Sequence, residues 1–418
     1  MKPSPSTFRN WLALLIEQGS RHLLGLLVLP YLLRIYSPAV YGPLLMAQAL
    51  AGVLTILSDY GFNFTAVQAI AENRADLLHR SRISGEVLTL RSSLALLLWP
   101  VYGLILVRLH LPLAYVLICY LPVLTGVWFP NWIYQGVEQM VWPARLQIMG
   151  QLLFVGGVFG WVQAGTSPLR VAGLQAGIAL LTTLSAWILL QRSSWAIQWI
   201  TPSFQRVWQL IRENFPVVLG VAAAVLFTTG NTFLIGAWGT AALAGIFGVA
   251  WKFFSVLLTL TNQLQTVLYP KISRLKHENQ ELATSLLYRY LYLAVGGSLL
   301  LCIGVQLCFP WLLPWLTGSA YLPSLGLIEI LTYSLPLVVL NAWITNFMFL
   351  NQRKHWTFSL ILLLTAVWDL MAVHTVLYWH LNADSLGWVY LSTELFETTL
   401  LLFLYWRPLS RLKACLSN

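Results

Sequence analysis

Charge is what this chain has least of. Asp, Glu, Lys and Arg make up 9% of its 418 residues, while 58% are hydrophobic; an ordinary soluble domain carries roughly a quarter charged residues. A surface so poor in charge excludes a soluble globular protein. Cysteine is scarce as well. Cys119, Cys302, Cys308 and Cys415 form no C-x-x-C pair, which excludes a disulfide framework and a thiolate zinc site. No G-x-x-x-x-G-K-[ST], H-E-x-x-H or G-x-S-x-G occurs, and the seven histidines are dispersed. ATP binding in a P-loop, zincin chemistry and nucleophile-elbow hydrolysis are therefore not indicated. The amino terminus "MKPSPSTFRN" runs straight into a long apolar stretch, so no removable signal peptide is expected.

What is present is apolar length. A spanning helix needs about 20 mostly apolar residues, and about a dozen such runs follow one another from residue 10 to residue 406. The expectation is an all-α integral membrane protein of about 12 transmembrane helices. With both termini placed in the cytoplasm, seventeen of the 24 basic residues fall on that side, and only Arg34, Arg108 and Arg170 on the other. That is the positive-inside pattern. It accounts for the net charge of +10 without a nucleic-acid partner.

The longest polar connection, "QRSSWAIQWITPSFQRVWQLIRENFP", interleaves Arg192, Arg206 and Arg212 with Trp195, Trp199, Phe204 and Trp208. Such a stretch suits the cytoplasmic membrane surface. It divides the chain into a six-helix bundle at 1–195, an interfacial linker at 196–212 and a second six-helix bundle at 213–418. An internal match supports the halves. "SPAVYGPLLMAQAL" (37–50) aligns with "TAALAGIFGVAWKF" (240–253) at constant offset, placing Ala39 on Ala242, Gly42 on Gly245 and Ala47 on Ala250. Duplicated bundles of this kind are a transporter architecture.

Charges inside spans are the candidates for function, because each costs about 2.5 to 3.5 kcal/mol at a helix centre on insertion scales and usually faces a bundle interior or a wet cavity. Glu17 and Arg21 are four apart on one helical face. They read either as a self-neutralising pair or as a cavity pair in which Arg21 exchanges Glu17 for an anion, a role suited to its planar fork. Lys252 stands about 11 residues into the eighth span, roughly 17 Å at 1.5 Å per residue, close to the bilayer midplane. No acid lies three or four residues away from it. An ion pair with Asp59 or Asp369 and a ligand-facing role are both open for it. Asp59, two residues before Gly61, reads as a helix-end or turn residue. Asp369 is a further intramembrane acid. Glu394 and Glu397, three apart, read either as a proton or cation relay or as surface residues of the last helix. No cofactor or metal is called for; coupling to H+ or Na+ is compatible with these acids. The many Trp and Tyr residues are assigned to interfacial belts, with extra weight on "WFPNWIYQG" (128–136), where Pro130, Asn131 and Gln135 set polar groups among the rings.

Four stretches resemble the Wzx-type polysaccharide (O-antigen) flippases, in the superfamily that also holds MATE-type multidrug exporters and lipid II flippases: "SDYGFNFTAVQAIAENR" (58–74), "WFPNWIYQGVEQM" (128–140), "AGIFGVAWKF" (244–253) and "LYPKISRL" (268–275). The resemblance implies two six-helix bundles around a cationic cavity that opens alternately to either side. It also implies movement of a polyprenyl-diphosphate-linked oligosaccharide from the cytoplasmic to the periplasmic leaflet of the bacterial inner membrane, for O-antigen (lipopolysaccharide) or capsule assembly. Lys252 matches the family's cavity lysine, and Arg21 its basic residue in the first span. Asn231 stands where relatives often carry an acid, which puts any borrowed cation site in doubt. Implied partners are the lipid-linked oligosaccharide, membrane lipids, and the polymerase and chain-length proteins of the same pathway. Two rivals are a multidrug or small-solute exporter of the same fold and a membrane-embedded polymerase or ligase. The first would favour cavity acids for cationic drugs; the second would need a large extracytoplasmic loop with basic residues.

Overall fold

The structure is a computed structural model that describes residues 17, 19–20, 24–278, 280–345 and 355–416. Among these the chain is all-helical: α1 (Leu24–Ile35), α2 (Pro38–Asp59), α3 (Phe62–Glu72), α4 (Leu77–Arg108), α5 (Leu113–Trp128), α6 (Asn131–Gly136), α7 (Val141–Trp161), α8 (Leu169–Gln191), α9 (Phe204–Phe227), α10 (Thr229–Trp238), α11 (Ala241–Glu278), α12 (Gln280–Thr317), α13 (Ser324–Tyr333), α14 (Leu335–Ile344), α15 (His355–Tyr378) and α16 (Ala383–Leu416).

Among the described residues eight helical segments are long and apolar enough to cross a bilayer, and the bent pair α13 and α14, 41° apart, makes a ninth. α7 and α16 are long helices at the positions of the fifth and twelfth expected runs. Most of the first run lies outside the described residues. The architecture is thus the expected multi-helix membrane fold, with the α13 and α14 pair bent rather than straight.

The described chain divides into two compact units, Met1–Val218 and Leu219–Asn418. The division falls inside α9, which runs unbroken from Phe204, so no helix break marks residue 212. The reason is the amphipathic character of "FQRVWQLIRENF". Leu210 is buried in the first unit's core beside Val207 and Ile211, while Phe204 and Trp208 are exposed. The preceding connector packs onto α4 by polar contacts: Gln198 N–H donates to Ser81 Oγ at 2.9 Å, and Arg80 donates to the carbonyl of Ala196 at 3.3 Å. Gly85 makes this possible, since a Cβ there would run into the carbonyl of Ile200.

Each unit repeats one packing plan. In the first, α5 lies against α2, α4 and α8, and α7 packs on α8; in the second, α13 lies against α11, α12 and α16, and α15 packs on α16. α2 and α11 begin at Pro38 and Ala241, in the same register as the internal sequence match. Small residues allow close helix approach, as bilayer packing requires in the absence of a water-driven hydrophobic force. Gly150 of α7 meets Thr182 of α8, and Gly387 of α16 meets Ile330 of α13.

The α2 to α3 junction explains one motif. Tyr60 (φ 49°) and Gly61 (φ 76°) both take left-handed backbone, which stops α2 immediately after Asp59 and turns the chain into α3. Glycine carries this conformation at no steric cost. Tyr60 is fixed by its hydroxyl, which donates to the carbonyl of Ile211 at 3.1 Å.

Candidate functional site

The first unit holds a charged centre that the sequence did not disclose. Arg91, in the middle of α4, is 4% exposed. One of its terminal nitrogens lies 2.7 Å from Oδ1 of Asp59 and donates to the carbonyl of Gly126 on α5 at 3.2 Å. Its guanidinium stands 4.9 Å over the ring of Trp132, which is fully buried. Among the described residues its Nε has no hydrogen-bond partner. A buried arginine is tolerated when a carboxylate balances its charge and an aromatic face takes its weakly hydrated plane. Three helices and the short α6 converge to provide both.

Asp59 is accordingly not a helix cap. The turn beside it is made by the backbone of Tyr60 and Gly61 without a side-chain cap, and its carboxylate is committed to Arg91. That pairing spans 32 residues and two helices, so no local spacing could signal it.

The Asp59–Arg91 pair borders a cavity of about 620 Å3 enclosed by α1, α2 and α4 to α8. Its wall includes Thr55, Asn131, Gln147 and Gln151, with Gln175 and Thr182 from α8. Gln175 accepts a 2.6 Å hydrogen bond from Gln48. Phe129 and Phe154 supply aromatic surface. Phe129 and Asn131 belong to "WFPNWIYQG", so that stretch contributes to a cavity wall and, through Trp132, to the arginine's seat.

The second unit holds carboxylates among neutral donors. Asp369 of α15 is fully buried and accepts from the Asn231 amide at 3.2 Å and the Thr393 hydroxyl at 3.0 Å. Asn231 donates also to the carbonyl of Phe227, at the break between α9 and α10. Glu394 accepts from the Asn341 amide at 3.0 Å, and Thr398 donates to Asn341 Oδ1 at 2.8 Å. Glu397, one turn along, is 7% exposed. Glu394 and Glu397 are therefore interior residues and not surface residues of the last helix. Among the described residues no cation lies within ion-pair distance of these three acids, and no group of acids, histidines and cysteines has metal-site geometry.

Asn231, which the sequence marked only as a departure, thus has a definite place in the structure, because its amide donates where a carboxylate would confront Asp369. The sequence missed its partners because Asn231 and Asp369 are 138 residues apart.

Lys252 is half-buried at the middle of the apolar part of α11, Ala241–Thr261. Its neighbour Trp251 packs edge-on against Tyr390 at 5.2 Å, on the helix that carries Glu394. Glu17 is 6% exposed, and Arg21 lies outside the described residues.

Known proteins share both the sequence and the fold. The chain is 28% identical over 309 residues to an Escherichia coli K12 protein described as a "Putative O-antigen transporter", covering 72% of this chain and 74% of that one. A Shigella dysenteriae protein of the same description is 22% identical over 382 residues, 89% of this chain and 93% of its own. By fold, the chain superposes on an inward-facing MATE-family multidrug transporter with a TM-score of 0.75, covering 94% of this chain and 95% of that one at 13% identity. On the lipid II flippase MurJ in an inward closed conformation the TM-score is 0.72, covering 95% and 87% at 13% identity. The sequence pattern of the family described as "Polysaccharide biosynthesis protein" runs through residues 7–276, well over half of the chain, and the chain belongs to that family.

Proposed function

We propose that this protein is a flippase that moves a polyprenyl-diphosphate-linked oligosaccharide across the bacterial inner membrane, from the cytoplasmic to the periplasmic leaflet, by alternating access. As a member of its family it is a multi-pass membrane transporter in polysaccharide biosynthesis and not an enzyme. The observation that carries the finer reading is the likeness to the two O-antigen transporter relatives, one of them along 89% of the chain. The physics is consistent with it. A diphosphate cannot enter hydrocarbon unaided, so a carrier must replace its hydration with fixed cations and polar groups. The lipid tail needs no such help.

In this reading Lys252 and Arg21 grip the diphosphate, and both termini lie in the cytoplasm. The acids Asp369, Glu394 and Glu397 take up the coupling ion, H+ or Na+, because three buried carboxylates surrounded by neutral donors need a positive partner when charged. Polymerase and chain-length proteins of the pathway would act on the exported product. The same-fold multidrug exporter gains no support from the cavity of the first unit, where the acid in the described wall is already paired with Arg91.

The test is complementation of a strain lacking its O-antigen flippase. Lys252→Ala abolishes O-antigen display while its amount in the membrane stays at the unsubstituted level. Full display by this variant would remove the lysine from the mechanism.

A further inference from the structure

The cavity of the first unit is unlike a diphosphate grip. Among the described residues of its wall the cation is Arg91, already neutralised by Asp59 at 2.7 Å, so the wall carries no net charge from that pair. What the wall offers instead is side-chain amides and hydroxyls, each amide holding a donor and an acceptor side by side. Asn131 lies at the base of the α5 to α6 break, Gln147 and Gln151 are one turn apart on α7, and Gln175 and Thr182 face in from α8. Four amides line this one cavity inside a membrane bundle, Gln175 accepting from Gln48, and each amide can engage more than one partner. The Nε of Arg91, on a side chain 4% exposed, is a further donor with no partner among the described residues. The volume of about 620 Å3 lies in the range of small-molecule sites, roughly 300 to 1,000 Å3.

An occupant that is neutral, dense in paired donors and acceptors, and apolar on its ring faces fits this wall. Neither a cation nor an anion would find an uncompensated opposite charge in the Asp59–Arg91 pair. Vicinal hydroxyls match the paired donor and acceptor of a glutamine amide, and the carbon face of a pyranose ring matches Phe129 and Phe154. We propose that this cavity is a sugar subsite, which binds a neutral monosaccharide unit of the lipid-linked glycan and sets which glycan the protein accepts. The inference rests on the flippase reading above for the source of the sugar, and on the cavity alone for its chemistry.

The experiment uses the full chain in detergent micelles and saturation-transfer NMR. The probes are the methyl glycosides of glucose, galactose, mannose, rhamnose, N-acetylglucosamine and N-acetylgalactosamine, with inorganic diphosphate as the contrasting ligand. At least one glycoside receives saturation from the protein. The signal falls at least five-fold in Gln147→Met/Gln151→Met and stays unchanged in Trp311→Ala, an exposed position of the second unit. Should the double variant be lost from the membrane, Gln151→Met alone and Phe154→Leu carry the same comparison. Absence of binding by every glycoside, or equal binding by folded variants, overturns the subsite.

A second arm separates free sugar from the lipid-linked glycan. In the flippase-deficient strain, Gln147→Met/Gln151→Met displays its native O-antigen at least five-fold less than the unsubstituted protein. Normal display by a variant that no longer binds glycosides overturns the assignment of the sugar to the transported glycan. The two readings also fail separately. Full display by Lys252→Ala alongside intact glycoside binding would sink the diphosphate grip and leave the sugar subsite standing, and loss of display by Lys252→Ala without any glycoside binding would do the reverse.

Discussion

The two units share a packing plan and treat buried charge in opposite ways. In the first, α4 brings Arg91 to Asp59 as an ion pair, with Trp132 beneath the guanidinium. In the second, α15 and α16 bring Asp369, Glu394 and Glu397 into the interior, where amides and a hydroxyl bond Asp369 and Glu394. An ion pair fixes a wall. Carboxylates supplied only with neutral donors retain the capacity to take up a proton or a cation. The two units share a packing plan, and the difference shows that this plan does not dictate the electrostatics placed on it.

The comparison breaks most severely at Arg91. Arg91→Ala takes its cation from the half-buried Asp59 carboxylate, and the about 3 to 5 kcal/mol for breaking a fully buried pair from one side is the upper bound of the cost. The expected result is a steep fall in folded protein by size-exclusion chromatography of the detergent extract. Asp59→Asn in the same chain restores much of it, because the orphaned charge is gone. Equal damage from the single and double variants would show that Arg91 acts by packing alone.

A smaller effect comes from giving the second unit what it avoids. Asn231→Asp sets a carboxylate beside Asp369, at the 3.2 Å now spanned by an amide donor. The lost hydrogen bond and the like-charge contact cost about 1 to 3 kcal/mol. The cost falls as pH is lowered, because one shared proton turns repulsion into a hydrogen bond. Thermal unfolding at pH 8 and pH 5 measures this: the deficit against the unsubstituted protein narrows at pH 5. A deficit that is independent of pH would mean that the site admits a cation or rearranges.

Asp369→Asn asks the converse question. An amide oxygen still accepts from Asn231 and Thr393, so the unfolding temperature changes little, while transport falls at least ten-fold if the acid takes up the coupling ion. Unchanged O-antigen display would leave Asp369 a structural residue.

The smallest expected effect is at the turn that ends α2. Gly61 is left-handed with open space around its Cα, so Gly61→Ala costs only backbone strain, about 1 kcal/mol. A loss several times larger in thermal unfolding would mean that the turn's path holds Asp59 against Arg91.

How much could be read in advance differs from residue to residue. The position of Lys252 along its helix was legible, since α11 begins at Ala241 as the apolar run implied and a helix climbs at a fixed rate per residue. The burial of Glu394 and Glu397 on one face followed from their spacing once the last helix was known to be inside. Asp59 stands at the end of α2, beside the turn that Tyr60 and Gly61 announce, but nothing local signals its pairing with Arg91. Arg91 was passed over because nothing in "LTLRSSLALL" marks an arginine that will be buried.

The sequence by itself determined that this chain is a membrane-embedded helical protein with related halves. Hydrophobic run length and helical rise are local quantities, and the bilayer imposes its thickness on each run separately. Only the tertiary structure decided that Arg91 would answer Asp59 and that Asn231 would serve Asp369. It alone decided that glutamines of α7 and α8 would share one cavity. Those relations join residues on different helices, and which faces meet is settled by packing that no single segment encodes.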